Sequence, residues 1–462
     1  MPEEKANMKG SAQTGALERM RQMAPETEIE AIKQSLDITI RQTVKSSLEN
    51  YIKVLQNDPL LMGSLRFNIL TQRIDVVKTM WWNSGTVPLT DEGEDFLSAY
   101  FEHYYGMNHE KNMQKALRII ANDRKYHPIC DHLESLSWDG KERIRYVLKK
   151  YMGSDDSDLT YHCLLHFLLG AILRVFHPGC KYEEMLCLVG GQGAGKSTFF
   201  RFLAIKDEWF SDDLKKLDDE KIYGKIRGHW IMEMSEMIAA ISAKSNELIK
   251  SFLSRQKETY RIPYQQYEED RDRQCVFAGT SNLRQFIPFD RTGSRRFIPI
   301  AIYPERAEKH ILDDEEEARA YIDQVWAEAM QIYRSGNYSM KFPEDIQDQL
   351  NVYRENFMQE DTMAGKIQAW LDAYEGDYVC SLMIYREALD NPEANPKKYM
   401  TNEICQIMDT KIIGWRTGPQ HRFTKEGYGQ QRSYVRCRNV NDDKEEFRPL
   451  TEEEMRRNPF TA

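Results

Sequence analysis

Gly190, Gly195, Lys196 and Ser197 stand in the order G-x-x-x-x-G-K-S, a spacing suited to wrapping phosphate groups. The stretch MLCLVGGQGAGKSTFFRFL (185–203) sets this octet between a short apolar run and an apolar helical pattern. Glycines let a backbone turn tightly and aim its amides at phosphate oxygens, and the N-terminus of the following helix adds positive potential. The loop Gly190, Gly191, Gln192, Gly193, Ala194, Gly195, Lys196, Ser197 and Thr198 is therefore the expected cradle for ATP. Lys196 is expected to reach the β and γ phosphates, and Ser197 to ligate Mg2+. The alternative is a Gly-rich turn of purely structural use. The strand before the loop and the helix after it favour the cradle.

Phosphoryl chemistry also needs a carboxylate at the end of a neighbouring strand. HWIMEMSEM (229–237) places Glu233 after Trp230, Ile231 and Met232, with Glu236 three residues further. One carboxylate can complete the metal shell and the other can polarise the attacking water. Glu233 is set beside Ser197 as the metal ligand, and the division of labour between the two glutamates stays open. CVFAGTSN (275–282) is a third apolar strand ending in Asn282, placed to orient water near the γ-phosphate; a turn-forming Asn is the plainer reading. DRTGSRRFIPI (290–300) carries Arg295 and Arg296 in a turn before a strand. They are either a surface pair or the charge compensation of an arginine finger.

In combination these segments resemble a known family. LVGGQGAGKSTFFRFLA, HWIMEMSEM, ELIKSFLSRQKETYRIPY, CVFAGTSN and TGSRRFIPI occur in the order of the virulence-associated protein E family of phages and phage satellites. That family is a branch of the phage-type primase-helicases within helicase superfamily 3. NDPLLMGSLRFN (57–68) and YHPICDHLESLSWDGKERI (126–144) are similar too, so the likeness covers roughly 50–305. It implies an AAA+-like α/β P-loop ATPase core that assembles as a homo-oligomeric ring, usually a hexamer, and translocates on DNA. It also implies a DNA-gripping hairpin between the acidic strand and Asn282, carrying Lys250, Arg261, Arg271 and Arg273. Glu268, Glu269, Asp270 and Asp272 interrupt the basic character there. No primase signature or zinc ribbon is present, so a helicase without priming activity is expected.

These residues need elements to hold them. Ile29, Ile32, Leu36, Ile40, Val44, Leu48 and Val54 recur mostly at spacings of three and four, which predicts one amphipathic helix over 29–56. Asp91–Tyr105 has an acidic first turn and reads as another helix. Residues 158–176 form an apolar helix leading into the first strand. Residues 363–440 read as helices followed by a turn and short strands, with TNEICQIMDTKI as a recognition-type helix and GWRTGPQHRFTKEGYGQQRSYVRCR as a hairpin wing. Between Pro396 and Val440 about nine Lys/Arg face about three acidic residues, the footprint of phosphate contacts. Lys397, Lys398, Arg416, Arg422, Lys425 and Arg432 are the candidate contacts there, and a solvated basic face is the alternative.

The expected organisation is a disordered leader (1–28), a mainly helical N-terminal domain (29–150), a P-loop core (151–345), a winged-helix-like domain (360–445) and a tail (446–462). The 462 residues suffice for several domains, and the net charge of −10 argues against a uniformly basic coat. The 8 cysteines form no CxxC pair, so reduced, mostly buried thiols are expected. With no signal-peptide pattern and no uncharged apolar span, a cytoplasmic protein without a membrane partner is expected. An ATP-gated initiator that binds origin DNA without unwinding it is the second reading. A P-loop kinase is the third, weakened by the lack of an acceptor-binding lid.

Overall fold

A computed structural model describes residues 15–214, 222–234, 243–260, 269–287, 294–359, 361–392, 394–425 and 427–437. The chain divides into two compact units, 1–358 and 359–462.

The first unit opens with a small module whose core includes Tyr51, Val54, Trp81, Tyr100 and Phe101. Its helix Asp91–Tyr105 starts where the Thr90 side chain accepts from the Gly93 amide, carries Asp91, Glu92 and Glu94 in the first turn, and ends at left-handed Gly106. The module is mainly helical, as expected, and it also holds a small sheet. Strands β1 (Leu65–Asn68), β2 (Arg73–Val76), β3 (Val87–Pro88) and β4 (Lys125–Tyr126) form a sheet in the order β3-β2-β1-β4. The single helix expected over 29–56 is two, Glu26–Gln34 and Leu48–Asn57. Between them Asn50 ties the intervening turn through bonds from its side-chain amide to the carbonyls of Asp37 and Lys45, and Ile40 is wholly exposed. Within the expected disordered leader, residues 15–23 are helical, with Ala16 and Met20 buried.

The centre of the unit is a parallel sheet built from β5 (Met185–Val189), β6 (Phe210–Ser211), β7 (Ile231–Glu233), β10 (Val276–Ser281) and β11 (Phe297–Ala301), in the order β11-β5-β10-β7-β6. Between β7 and β10 the chain makes an antiparallel pair, β8 (Lys257–Tyr260) and β9 (Glu269–Asp272). All five residues of β5 are buried, as a parallel strand covered on both faces requires. Alternation divides them: Leu186 and Leu188 join the core of helices Ile144–Met152, Asp158–Phe176, Lys196–Leu203 and Glu315–Ser335. Met185, Cys187 and Val189 face the opposite core with Ile249, Phe252 and Phe357. Helix Asp158–Phe176 is long and apolar enough to cross a membrane, yet most of it is buried in this core, where the Trp230 indole donates to the Ala171 carbonyl at 3.0 Å.

Two expected boundaries move. Ile129, Leu133, Ile144 and Leu148 pack in the core of the central sheet, so the segment 128–150 belongs there rather than with the N-terminal module. Helix Glu344–Glu355 seats Leu350 in that core and Phe357 follows on the other face, carrying the unit past residue 345.

The second unit runs helix Thr362–Ala373, β12 (Tyr378–Val379), a helical turn over 381–388, helix Lys398–Thr410, β13 (Trp415–Arg422) and β14 (Gln430–Arg436). The strands form an antiparallel sheet in the order β12-β14-β13 around Ile367, Leu371, Ile404, Ile407, Trp415 and Tyr434.

Candidate active site

The parallel sheet ends β5, β7 and β10 at one edge, and the loop 190–195 leaves from the middle of that edge. Ligands of open α/β sheets bind there, outside the carboxyl ends of the strands. Gly190 has no room for a side chain, because a Cβ would lie 2.6 Å from the Ile302 carbonyl oxygen. Gly195 sits at φ +75°, the left-handed turn that starts helix Lys196–Leu203. Around Gly191 and Gly193, by contrast, a Cβ would meet nothing within 4 Å, so the loop opens onto free space. The cleft there measures 400 Å³ and is lined by residues 192–198 with Thr280, Asn282, His310 and Leu312.

Lys196 crosses this cleft. Its Nζ donates to the carbonyls of Gly190 at 2.9 Å and Gly191 at 2.7 Å, and to Asn282 Oδ1 at 2.9 Å. Burial lowers the ammonium pKa, and the Glu233 charge works against that shift. Ser197 Oγ donates to Glu233 Oε1 at 2.8 Å, and Thr280 Oγ1 donates to the same oxygen at 2.5 Å. The second oxygen, Glu233 Oε2, is buried and has no hydrogen-bond partner among the described residues. Glu233 is 1% exposed, and burial raises its carboxyl pKa. The Thr280 and Ser197 hydroxyls and Lys196 oppose this shift, while Asp212 adds to it. A buried carboxylate with one free oxygen beside a serine hydroxyl is a donor set suited to a hard divalent cation. Glu236 lies outside the described residues.

Arg295 and Arg296 are at the other edge. β11 pairs with β5 in register from Phe297↔Met185 to Ala301↔Val189, so both arginines sit at the start of the strands. Arg296 Nη2 donates to Glu183 Oε2 at 3.0 Å and to Ser254 Oγ at 3.0 Å, and Arg295 Nη2 donates to Glu183 Oε1 at 3.0 Å. The two differ in access: the Arg296 side chain is 15% exposed and the Arg295 side chain 66%. Burial works to raise the Glu183 carboxyl pKa, and Ser254, Arg296 and Arg295 outweigh it, leaving it below the usual glutamate range. Arg354 fixes the backbone here by donating from Nε to the Phe297 carbonyl at 2.9 Å.

The residues expected to grip DNA between β7 and β10 fare differently. Arg273 is buried, stacked over Phe252 at 4.7 Å and Phe277 at 5.2 Å, and ion-paired with buried Glu258. Lys250 is buried on helix Ala243–Leu253. Arg273 is thus held as a structural residue rather than a phosphate contact. Arg271 is half-buried and donates to Gln72 Oε1 at 2.5 Å. Arg261 lies outside the described residues. In the second unit Lys397, Lys398, Arg416, Arg422, Lys425 and Arg432 are all exposed, although Lys425 pairs with Glu387 at 2.8 Å.

Residues 133–359 match one family model, described as the virulence-associated protein E-like domain. Over that span the chain is similar to virulence-associated protein E-like domains. The matched span holds the whole parallel sheet, both of its edges, and helix Glu344–Glu355. It starts later than the resemblance read over 50–305 and runs further, to the end of the first unit. No curated protein matches the chain. Among solved structures it is similar to the apo A form of the NrS-1 C-terminal region, at 13% identity over 85% of this chain and 100% of that one, with a TM-score of 0.48. A second apo structure of that region is 13% identical over 81% of this chain and 95% of that one, with a TM-score of 0.45. Both likenesses are remote.

Thr280 and Glu183 escaped the sequence reading. Thr280 is one of several small residues in CVFAGTSN, and only strand register shows that it shares a side with Glu233. Glu183 is separated from Arg296 by 113 positions, and no spacing rule joins them.

Proposed function

We propose that the chain is a ring-forming P-loop ATPase that drives DNA translocation and unwinding in replication of a phage or other mobile element. The observation that carries this reading is the separation of the two charged sets by the length of the sheet. Lys196, Ser197, Glu233 and Asn282 lie at its carboxyl edge, and Arg295 and Arg296 at its amino edge. The five paired residues between them span about 16 Å, farther than an arginine side chain reaches. Arg295 therefore has no route to its own cradle, which supports a role at that of a neighbouring subunit.

In this mechanism the loop 190–195 holds the triphosphate of ATP through its amides, and Lys196 exchanges the Gly190, Gly191 and Asn282 oxygens for phosphate oxygens. Ser197 and Glu233 would hold Mg2+, which neutralises charge on the β and γ phosphates. Released from Lys196, Asn282 is free to orient the attacking water, and Thr280 keeps the Glu233 carboxylate turned toward Ser197. Arg296 anchors the turn through Glu183 and Ser254, while Arg295 supplies positive charge to the adjoining subunit's phosphates. The second unit, with helices, a three-stranded antiparallel sheet and a basic hairpin, is a winged-helix-like module for DNA.

That module favours a second reading, an ATP-gated initiator that assembles on duplex DNA without unwinding it. A strand-displacement assay run beside an ATPase assay separates the two. The helicase reading expects ATP-dependent displacement that Lys196→Ala abolishes. DNA-stimulated ATP turnover with no displacement on forked or blunt substrates contradicts it and leaves the initiator.

A further inference from the structure

Helix Lys398–Thr410 buries Ile404, Ile407 and Met408 against the core of the second unit. On its opposite side Tyr399, Asn402, Glu403 and Gln406 are exposed, at spacings of three and four that align them in one row. Among the described residues, nothing hydrogen-bonds to the side chains of Asn402, Glu403 or Gln406. Asp409, at the end of the row, is engaged instead. It accepts from Thr417 Oγ1 at 2.9 Å, and Arg432 Nη2 donates to Thr417 Oγ1 at 3.3 Å. This chain of bonds fixes the helix against the β13–β14 hairpin, so the row of free side chains has a set orientation.

The cations frame this row rather than fill it. Lys397 and Lys398 are exposed at its N-terminal end, and Arg416, Arg422 and Arg432 are exposed on the hairpin. Phosphate contacts position a protein on a duplex, whereas base contacts specify the sequence. Asn and Gln pair bidentately with adenine in the major groove, and Glu accepts from cytosine. A helix enters the major groove of B-DNA but not the deep, narrow one of A-form RNA. A single strand would call for a platform of exposed aromatics, and Tyr399 is the one aromatic in the row.

We infer that helix Lys398–Thr410 reads duplex DNA in the major groove, with Asn402 and Gln406 selecting adenines while Lys397, Lys398 and the hairpin arginines hold the flanking phosphates. The inference rests on the proposed DNA-binding role of the second unit, which its cations can supply without any sequence preference.

The test uses the full chain and a pool of random-sequence duplexes, selected by binding and then sequenced. The parent should enrich a site with fixed adenine positions. Asn402→Ala/Gln406→Ala should bind duplexes with an unchanged salt slope and lose about tenfold or more in discrimination at each contacted adenine. Lys397→Ala/Lys398→Ala should weaken binding to all duplexes alike and flatten the salt slope. A parental thermal melt and circular dichroism spectrum would show that each variant is folded. Duplex binding by the parent without any enriched site overturns base reading alone, as does the same site enriched by Asn402→Ala/Gln406→Ala. A parent that binds no duplex at all removes the DNA role of the second unit as well.

Discussion

Lys196 would exchange its present partners for phosphate oxygens in the proposed complex. Its three present partners are two loop carbonyls and Asn282, none of them charged. Lys196→Ala is therefore expected to fold while losing tight ATP binding and turnover, as nucleotide titration and an ATPase assay would show. Glu233 gives a sharper expectation because its pKa is raised. A carboxyl held above its unfolded pKa is charged at cost in the folded state, and the penalty fades as pH falls through the folded value. Glu233→Gln should thus melt higher than the parent at neutral and alkaline pH in the absence of nucleotide, with the gap narrowing as pH falls, and should hydrolyse ATP far more slowly. Equal melting temperatures across that range would contradict the buried charge. The cradle was legible in the sequence because its residues are contiguous. The meaning of Arg273 was not, since a sequence shows its charge but not its burial against Phe252 and Phe277.

Among the elements, the turn before β11 assigns different tasks to its two arginines. Arg296 is mostly buried and shared between Glu183 and Ser254, so Arg296→Ala leaves a buried carboxylate short of a partner and should cost about 1–3 kcal/mol in denaturant unfolding. Arg295→Ala should leave stability within about 0.5 kcal/mol of the parent and reduce turnover by about 10³-fold. A variant pair with the opposite pattern would exchange their roles. Helix Asp91–Tyr105 was readable from its acidic first turn, whereas the sheet of the N-terminal module was not. Its strands have two to four residues, too few for alternation to register. The break between Glu26–Gln34 and Leu48–Asn57 was hidden for a related reason. Ile40 and Val44 keep the helical spacing, but Ile40 is exposed and Val44 bridges back to Ile38.

For the molecule as a whole, the α/β class was legible, because short apolar runs alternate with turns and helical patterns from Met185 to about Pro304. The extents of the units were not, because helices such as Ile144–Met152 have an apolar face that fits either neighbour. Removing 359–462 cuts at the unit boundary and leaves both cores of the central sheet intact. The truncated chain should keep ATP turnover while its DNA affinity falls and its salt dependence flattens. The central claim is that each cradle is completed by a neighbour, and mixing two inactive variants tests it most directly. Arg295→Ala keeps an intact cradle and Lys196→Ala keeps an intact arginine. Combined and shown by native mass measurement to co-assemble, they should recover part of the parental ATPase rate, because some interfaces then pair Lys196 with Arg295. Co-assembled, stable mixtures that remain as inactive as either variant alone would contradict the account.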